Sequence, residues 1–371
     1  MGETAGLIAQ DPWAFGNTRT RKNEFLKKFH LKTVAAHAKF SRTVLEPAAL
    51  QYVVYGLRIS CDRPIPGLTP LENQEPDIQF HFVSERPLNP QENETDGEAI
   101  WYESYLRDEH DQPLLKIRKN KLNQGYRIEY SHGLAFEVDS TVSTINVSGA
   151  ERTSNTELSS FLLGPVLGIL LRMKGLTCLH ASAAVFAGRS LVFAGAEGSG
   201  KSTAAAIFAR RGHAVLADDI AVLERVGGIF SVRSGCPVLN LLSDSADWLR
   251  GSERTGRTEA ETEKQRIVLD GKTLRFQREG LPLGAVFILD AATDPAQPFE
   301  RLSSREALVC LSAETYANRM LDTQMRAAEF QELGALVESV PVLRINTRAL
   351  ECGFEAFYDT VCRSTSNLGF Q

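Results

Sequence analysis

The run LVFAGAEGSGKST, residues 191–203, decides how this chain is read. Gly195, Gly200, Lys201 and Ser202 fit the phosphate-loop spacing G-x-x-x-x-G-K-[ST]. The apolar residues before it predict a strand, and the Ala-rich TAAAIFAR (203–210) after it predicts a helix. Glycines let backbone N–H groups turn onto phosphate oxygens, and the next helix presents its positive end. The expected nucleotide cradle is therefore Gly195, Ala196, Glu197, Gly198, Ser199, Gly200, Lys201, Ser202 and Thr203. Lys201 would neutralise phosphate charge, and the Ser202 hydroxyl would ligate Mg2+ beside a bound ATP. The alternative is a Gly-rich turn between a strand and a helix.

Working outward, the next feature is an acidic pair. Asp218 and Asp219 end the apolar run AVLADD (214–219) that follows the loop helix. An acid at such a strand end sits beside Mg2+, and a hydroxyl acceptor benefits from a carboxylate that takes its proton. Adjacent residues on a strand point to opposite faces, so the two roles, proton acceptance and metal binding, are expected to split between Asp218 and Asp219. An Asp-rich turn is the alternative. His180 lies in the run LTCLHASAAVF (176–186), one strand before the loop, where its ring would come near the phosphates unless it is a buried core histidine. Lys264 and Arg266 border the polar stretch 244–264, which is expected to be a mobile loop over the site. Either could supply positive charge to a transferring phosphoryl group, with Arg233 a weaker candidate; solvated strand-edge charges are the alternative.

Composition sets the outer bounds. A chain of 371 residues accommodates about two domains. A formal net charge of −5 gives no reason to expect nucleic acid as the main partner. The six cysteines contain no C-x-x-C pair, which argues against zinc or redox chemistry. The longest apolar run, FLLGPVLGILL (161–171), is short for a bilayer and broken by Gly164 and Pro165, so no membrane span and a cytoplasmic location are expected. Residues 1–48 read as a basic arm, partly helical or disordered, with Arg19, Arg21, Lys22, Lys27, Lys28, Lys32, Lys39 and Arg42 against Glu24. Short alternating runs over 49–150 predict an antiparallel β-rich domain, and 151–371 an α/β catalytic domain.

The stretch HASAAVFAGRSLVFAGAEGSGKSTAAAIFARRGHAVLADDIAVL (180–223) resembles the core of the HPr kinase/phosphorylase superfamily. There a histidine opens a strand, a hairpin leads into the phosphate loop, and an R-G-H-x-x-x-x-D-D segment follows. YGLRIS, LLGPVLGILLRMKGLTCLHAS, SVRSGCPVLNL and LPLGAVFILD are similar to the kinase-like branch of lasso-peptide biosynthetic clusters. The resemblance implies a P-loop kinase domain of the HPr kinase C-terminal, PEP carboxykinase-like type. It implies ATP-dependent phosphorylation of a serine in a peptide or small protein, and multimers make a homo-oligomer an expectation. Asp218 matches the family's proton acceptor and His180 a catalytic-site histidine; Arg266 or Lys264 would stand for its basic catalytic residue. The R-G-x-G-[IV] segment of bacterial HPr kinases is absent, which turns the expectation from HPr toward a lasso-type precursor peptide. A kinase for a small hydroxyl metabolite and a non-enzymatic nucleotide-binding module are the other readings.

Overall fold

A computed structural model describes residues 49–71, 74–83, 98–251, 264–290, 298–347 and 353–369. The basic arm expected over 1–48 lies outside them. The described chain is mixed α/β with two large sheets. It groups into two units that divide between Leu170 and Leu171.

The first unit is an eight-stranded sheet. Its strands are β1 (Leu50–Val54), β2 (Leu57–Cys61), β3 (Ile78–Phe82), β4 (Glu98–Glu103), β5 (Leu115–Asn120), β6 (Tyr126–Tyr130), β7 (Ala135–Val138) and β8 (Thr144–Ser148), in the spatial order β1-β2-β3-β8-β7-β6-β5-β4. Alternation sets the buried face: Ile117, Ile128 and Phe136 are fully buried, while Lys116 and Arg127 between them are only partly so. The helix Asn155–Phe161 packs on this sheet, which is why it falls in the first unit. Phe161 meets Tyr130 edge-on at 5.1 Å between ring centroids, and Ser159 Oγ donates to Pro66 O at 3.1 Å. The expected all-antiparallel pairing is corrected here, because β3 runs parallel to both β2 and β8. Asp62-Arg63-Pro64 starts a return crossing. The chain passes back along β1, with Leu71 N–H donating to Gln51 O, before β3 begins.

The helical run Asn155–Met173 is long and apolar enough to cross a membrane by length and composition, and 72% of its apolar window is buried inside the protein. Pro165 sits in it within a widened turn, Leu162–Val166, where Leu167 N–H reaches back to Leu162 O.

In the second unit β9 (Thr177–Leu179), β10 (Ala181–Phe186), β11 (Arg189–Ala194), β12 (Val215–Ala217), β13 (Ala221–Val226), β14 (Ile229–Val232), β17 (Leu281–Asp290), β18 (Phe299–Arg301) and β19 (Val342–Asn346) form a nine-stranded sheet. β11 runs parallel to β17, and β17 to β19; β10 lies antiparallel between β11 and β12. The apolar run of β11 is buried on both faces, as a central parallel strand requires. Leu191 and Phe193 meet the helices Lys201–Arg210 and Phe354–Asn367, while Val192 and Ala194 join the core under Ser304–Ala313 and Thr323–Ser339.

The Ala-rich loop helix has a further neighbour. Ala205, Ala206 and Ala209 pack against a separate ribbon, β15 (Val238–Leu242) with β16 (Lys264–Val268), and against the helix Ser243–Arg250. That helix corrects the expected loop over 244–264: its Ala246 and Leu249 are buried in the ribbon core, and it ends on Gly251 in the left-handed region. Residues 252–263 lie outside the description, and Lys264 already belongs to β16. The segment between the helices Ser304–Ala313 and Thr323–Ser339 runs alongside β9: Thr315 bridges Leu179, and Tyr316 N–H donates to Cys178 O.

Candidate phosphate-binding site

Strand directions bring the sequence-predicted residues to one end of the second sheet. Gly195 follows the last residue of β11, and Asp218 follows the last residue of β12, which runs the same way. Ligands bind at the carboxyl ends of such strands. β10 runs oppositely between them, so its start lies at the same end. Ala181 pairs with Ala194 and Ala183 with Ala217, which puts His180 beside Gly195 and Ser182 beside Asp218.

The loop has the backbone that its spacing predicts. Gly195, Gly198 and Gly200 all have positive φ. At Gly195, with φ 145°, a Cβ would stand 2.6 Å from Leu289 O. Gly195→Ala is therefore expected to destabilise the second unit by more than about 1 kcal/mol, read as a lower denaturant midpoint. Lys201, buried at the first position of the loop helix, donates from Nζ to Gly195 O at 2.7 Å and Ala196 O at 3.0 Å. Burial works to lower its pKa, and the nearby Glu314, Asp219 and Glu197 carboxylates work against that. Ser202 is the next residue of the helix. Thr203 Oγ1 shares a 3.1 Å hydrogen bond with Ser245 Oγ, tying the loop helix to Ser243–Arg250.

The two aspartates do not diverge as a continuing strand would require. β12 ends at Ala217, and Asp219 adopts a left-handed backbone with φ 63°, which Asp tolerates better than most residues. Both carboxylates then meet Asn240 on β15. Its backbone N–H donates to Asp218 Oδ2 and its side-chain Nδ2 to Asp219 Oδ2, each at 2.7 Å. Ser182 Oγ donates to Asp218 Oδ1 at 2.6 Å. Burial, and then the charge of Asp219, push the Asp218 carboxyl up to about 6. That range suits a group that must take a proton near neutral pH.

Lys264 reaches the pair, with Nζ 3.6 Å from Asp219 Oδ1, and Asp219 raises its pKa. Arg266 sits opposite Asn240 in the ribbon, and burial lowers its pKa. His180 donates its backbone N–H to Glu314 O at 2.7 Å, and its ring meets Tyr316 edge-on at 6.3 Å. Arg233 pairs with Glu224.

Sequence reasoning missed Ser182, Asn240 and Glu314. Ser182 and Asn240 are polar residues inside apolar runs, which was the available signal. Glu314 closes the helix Ser304–Ala313, and its carbonyl accepts the His180 N–H beside the loop.

The residues fit a Mg2+-bound triphosphate. Among the described residues no three His, Cys, Asp or Glu side chains gather as a metal cage. Mg2+ needs none, since it keeps waters and substrate phosphate oxygens and takes one or two carboxylates. Asp219 with the Ser202 hydroxyl is a donor set of that kind. Ser199 Oγ, in the turn of the loop, is buried without a hydrogen-bond partner, so the cradle holds a polar group for a ligand oxygen.

No family model matches the sequence, and no curated protein matches it. Among solved structures, the HPr(Ser) kinase/phosphatase from Coxiella burnetii is similar at 13% identity and a TM-score of 0.28, over 52% of this chain and 97% of that one.

Proposed function

We propose that this protein is a Mg2+-ATP-dependent kinase that phosphorylates a serine hydroxyl of a peptide or small protein. The observation that carries this reading is the meeting of the phosphate loop and the Asn240-bound Asp218–Asp219 pair at one sheet end. Mg2+ would supply charge neutralisation at the phosphates, held by Ser202 and Asp219. Lys201 binds the terminal phosphates, and Asp218 accepts the proton of the attacking hydroxyl. The serine oxygen forms a bond to the γ-phosphorus as the bond to the β–γ bridging oxygen breaks, and ADP leaves with that oxygen. Lys264 holds Asp219 and offsets the negative charge around the pair. The resemblance of YGLRIS, LLGPVLGILLRMKGLTCLHAS, SVRSGCPVLNL and LPLGAVFILD to the kinase-like branch of lasso-peptide clusters favours a lasso-type precursor peptide as acceptor, and the cytoplasm as the place of reaction.

The test incubates the full chain with Mg2+-ATP and the short serine-containing peptides encoded beside its gene, with small hydroxyl metabolites in parallel. A phosphate mass gain on a peptide serine is expected. Gain on a metabolite alone would move the assignment to a small-molecule kinase, and ATP bound without any transfer would favour a binding module.

Asn240 gives a sharper check on the metal assignment. In Asn240→Ala the backbone N–H to Asp218 survives and the amide to Asp219 is lost. The Mg2+ concentration for half-maximal activity should rise by about tenfold or more, as for partners that orient a metal ligand. An unchanged Mg2+ requirement would remove Asp219 from the metal site.

A further inference from the structure

Ser182 is a polar residue on an apolar face, and the catalytic scheme above gives it no role. It alternates with Ala181 and Ala183, which join the core on the other side of the sheet. It therefore shares a face with Ala184 and with its cross-strand partner Phe193, both packed in the core of the phosphate-loop helix. The residue is 1% exposed, and a hydroxyl buried so deeply is costly unless it is hydrogen-bonded. Its bond goes to Asp218, with Ser182 Oγ donating to Oδ1 at 2.6 Å.

The Asp218 carboxylate is held from two sides. Ser182 on β10 holds Oδ1, and the Asn240 backbone N–H on β15 holds Oδ2 at 2.7 Å. Donors on both oxygens fix the plane of the carboxylate, whereas one alone would let it turn about that bond. β10 also lies between β11, which leads into the phosphate loop, and β12, which leads into Asp218. The hydroxyl thus ties Asp218 to the strand paired with the phosphate-loop strand. We propose that Ser182 is a positioning residue for phosphoryl transfer: it holds the Asp218 carboxylate in the orientation that meets the acceptor hydroxyl, at a separation from the phosphate loop set by β10. The inference rests on the kinase reading and deepens it. With so little exposed surface, Ser182 acts through Asp218 and not on the substrate. Small displacements of a catalytic group slow a reaction steeply, so Ser182→Ala should reduce transfer by about tenfold or more. Mg2+-ATP binding should not change, because the loop keeps its own contacts.

A double-mutant cycle separates a positioning hydroxyl from a merely structural one. In Asp218→Asn no base remains to be oriented, so adding Ser182→Ala should slow transfer no further. The experiment follows single-turnover transfer from Mg2+-ATP to the serine-containing peptides encoded beside the gene, with calorimetry of Mg2+-ATP on each variant. Ser182→Thr keeps the hydroxyl and should restore most of the rate. Ser182→Cys, close in size but a weak donor, should not, and it carries the test if Ser182→Ala does not fold. A wild-type rate in Ser182→Ala, the same fold loss with and without Asp218, or lost Mg2+-ATP binding overturns the proposal. Near-normal transfer by Asp218→Asn overturns the base assignment, and no transfer by the wild type overturns the kinase reading; the positioning role falls with either.

Discussion

Asp218→Asn should cut phosphoryl transfer by about 10²–10⁴-fold, the range of a lost general base, while the protein goes on binding Mg2+-ATP. Asparagine keeps the shape of the side chain. Its oxygen can still accept the Asn240 N–H, and the Ser182 hydroxyl can turn to accept from its amide. What disappears is the capacity to take a proton. The same change should make the protein more stable. In the folded chain the Asp218 carboxyl is raised to about 6, above its ordinary 3.8, by burial and then by Asp219. The folded state therefore holds this proton more tightly than the unfolded chain does. The resulting stability is full below the unfolded value and is lost as the pH rises through about 6. At neutral pH the charged pair is a burden that Asn removes, and Tm should rise by roughly 3–6 °C. Slower transfer with higher Tm separates a catalytic carboxylate from a structural one. Near-normal transfer by Asp218→Asn would remove Asp218 as the base.

Lys201→Ala should act earlier, on binding. Lys201 is buried, and no other described lysine or arginine donates to the loop carbonyls. Its loss should weaken Mg2+-ATP binding and transfer together, by roughly 10²–10³-fold. It also removes the two hydrogen bonds that Lys201 gives the Gly195 and Ala196 carbonyls, which is destabilising. A lower Tm should accompany the lost binding, opposite in sign to Asp218→Asn. Tight Mg2+-ATP binding by Lys201→Ala would mean that the loop does not hold phosphate.

What the sequence made legible was local. The positive-φ glycines, Lys201 at the helix start and the acids after the next strand all follow from spacing within one stretch of chain. The polar partners were not legible, because they arrive from distant strands. Ser182 lies 36 residues from Asp218, and Asn240 lies 22. Only the β10–β12 pairing and the β15 ribbon bring them together. Glu314 was hidden for the same reason, since nothing in its helix points to β9. The helix Ser243–Arg250 was missed because its polar composition masks Ala246 and Leu249, three apart on one face. In the first unit, alternation revealed which face of each strand is buried but not which way it runs, so the parallel entry of β3 could not be read.

Calorimetric titration of Mg2+-ATP into the full chain and its Lys201→Ala variant tests the central claim most directly. The account predicts one saturable, Mg2+-dependent site in the wild type and none in the variant. Absence of binding in the wild type, or equal binding in both, would contradict it.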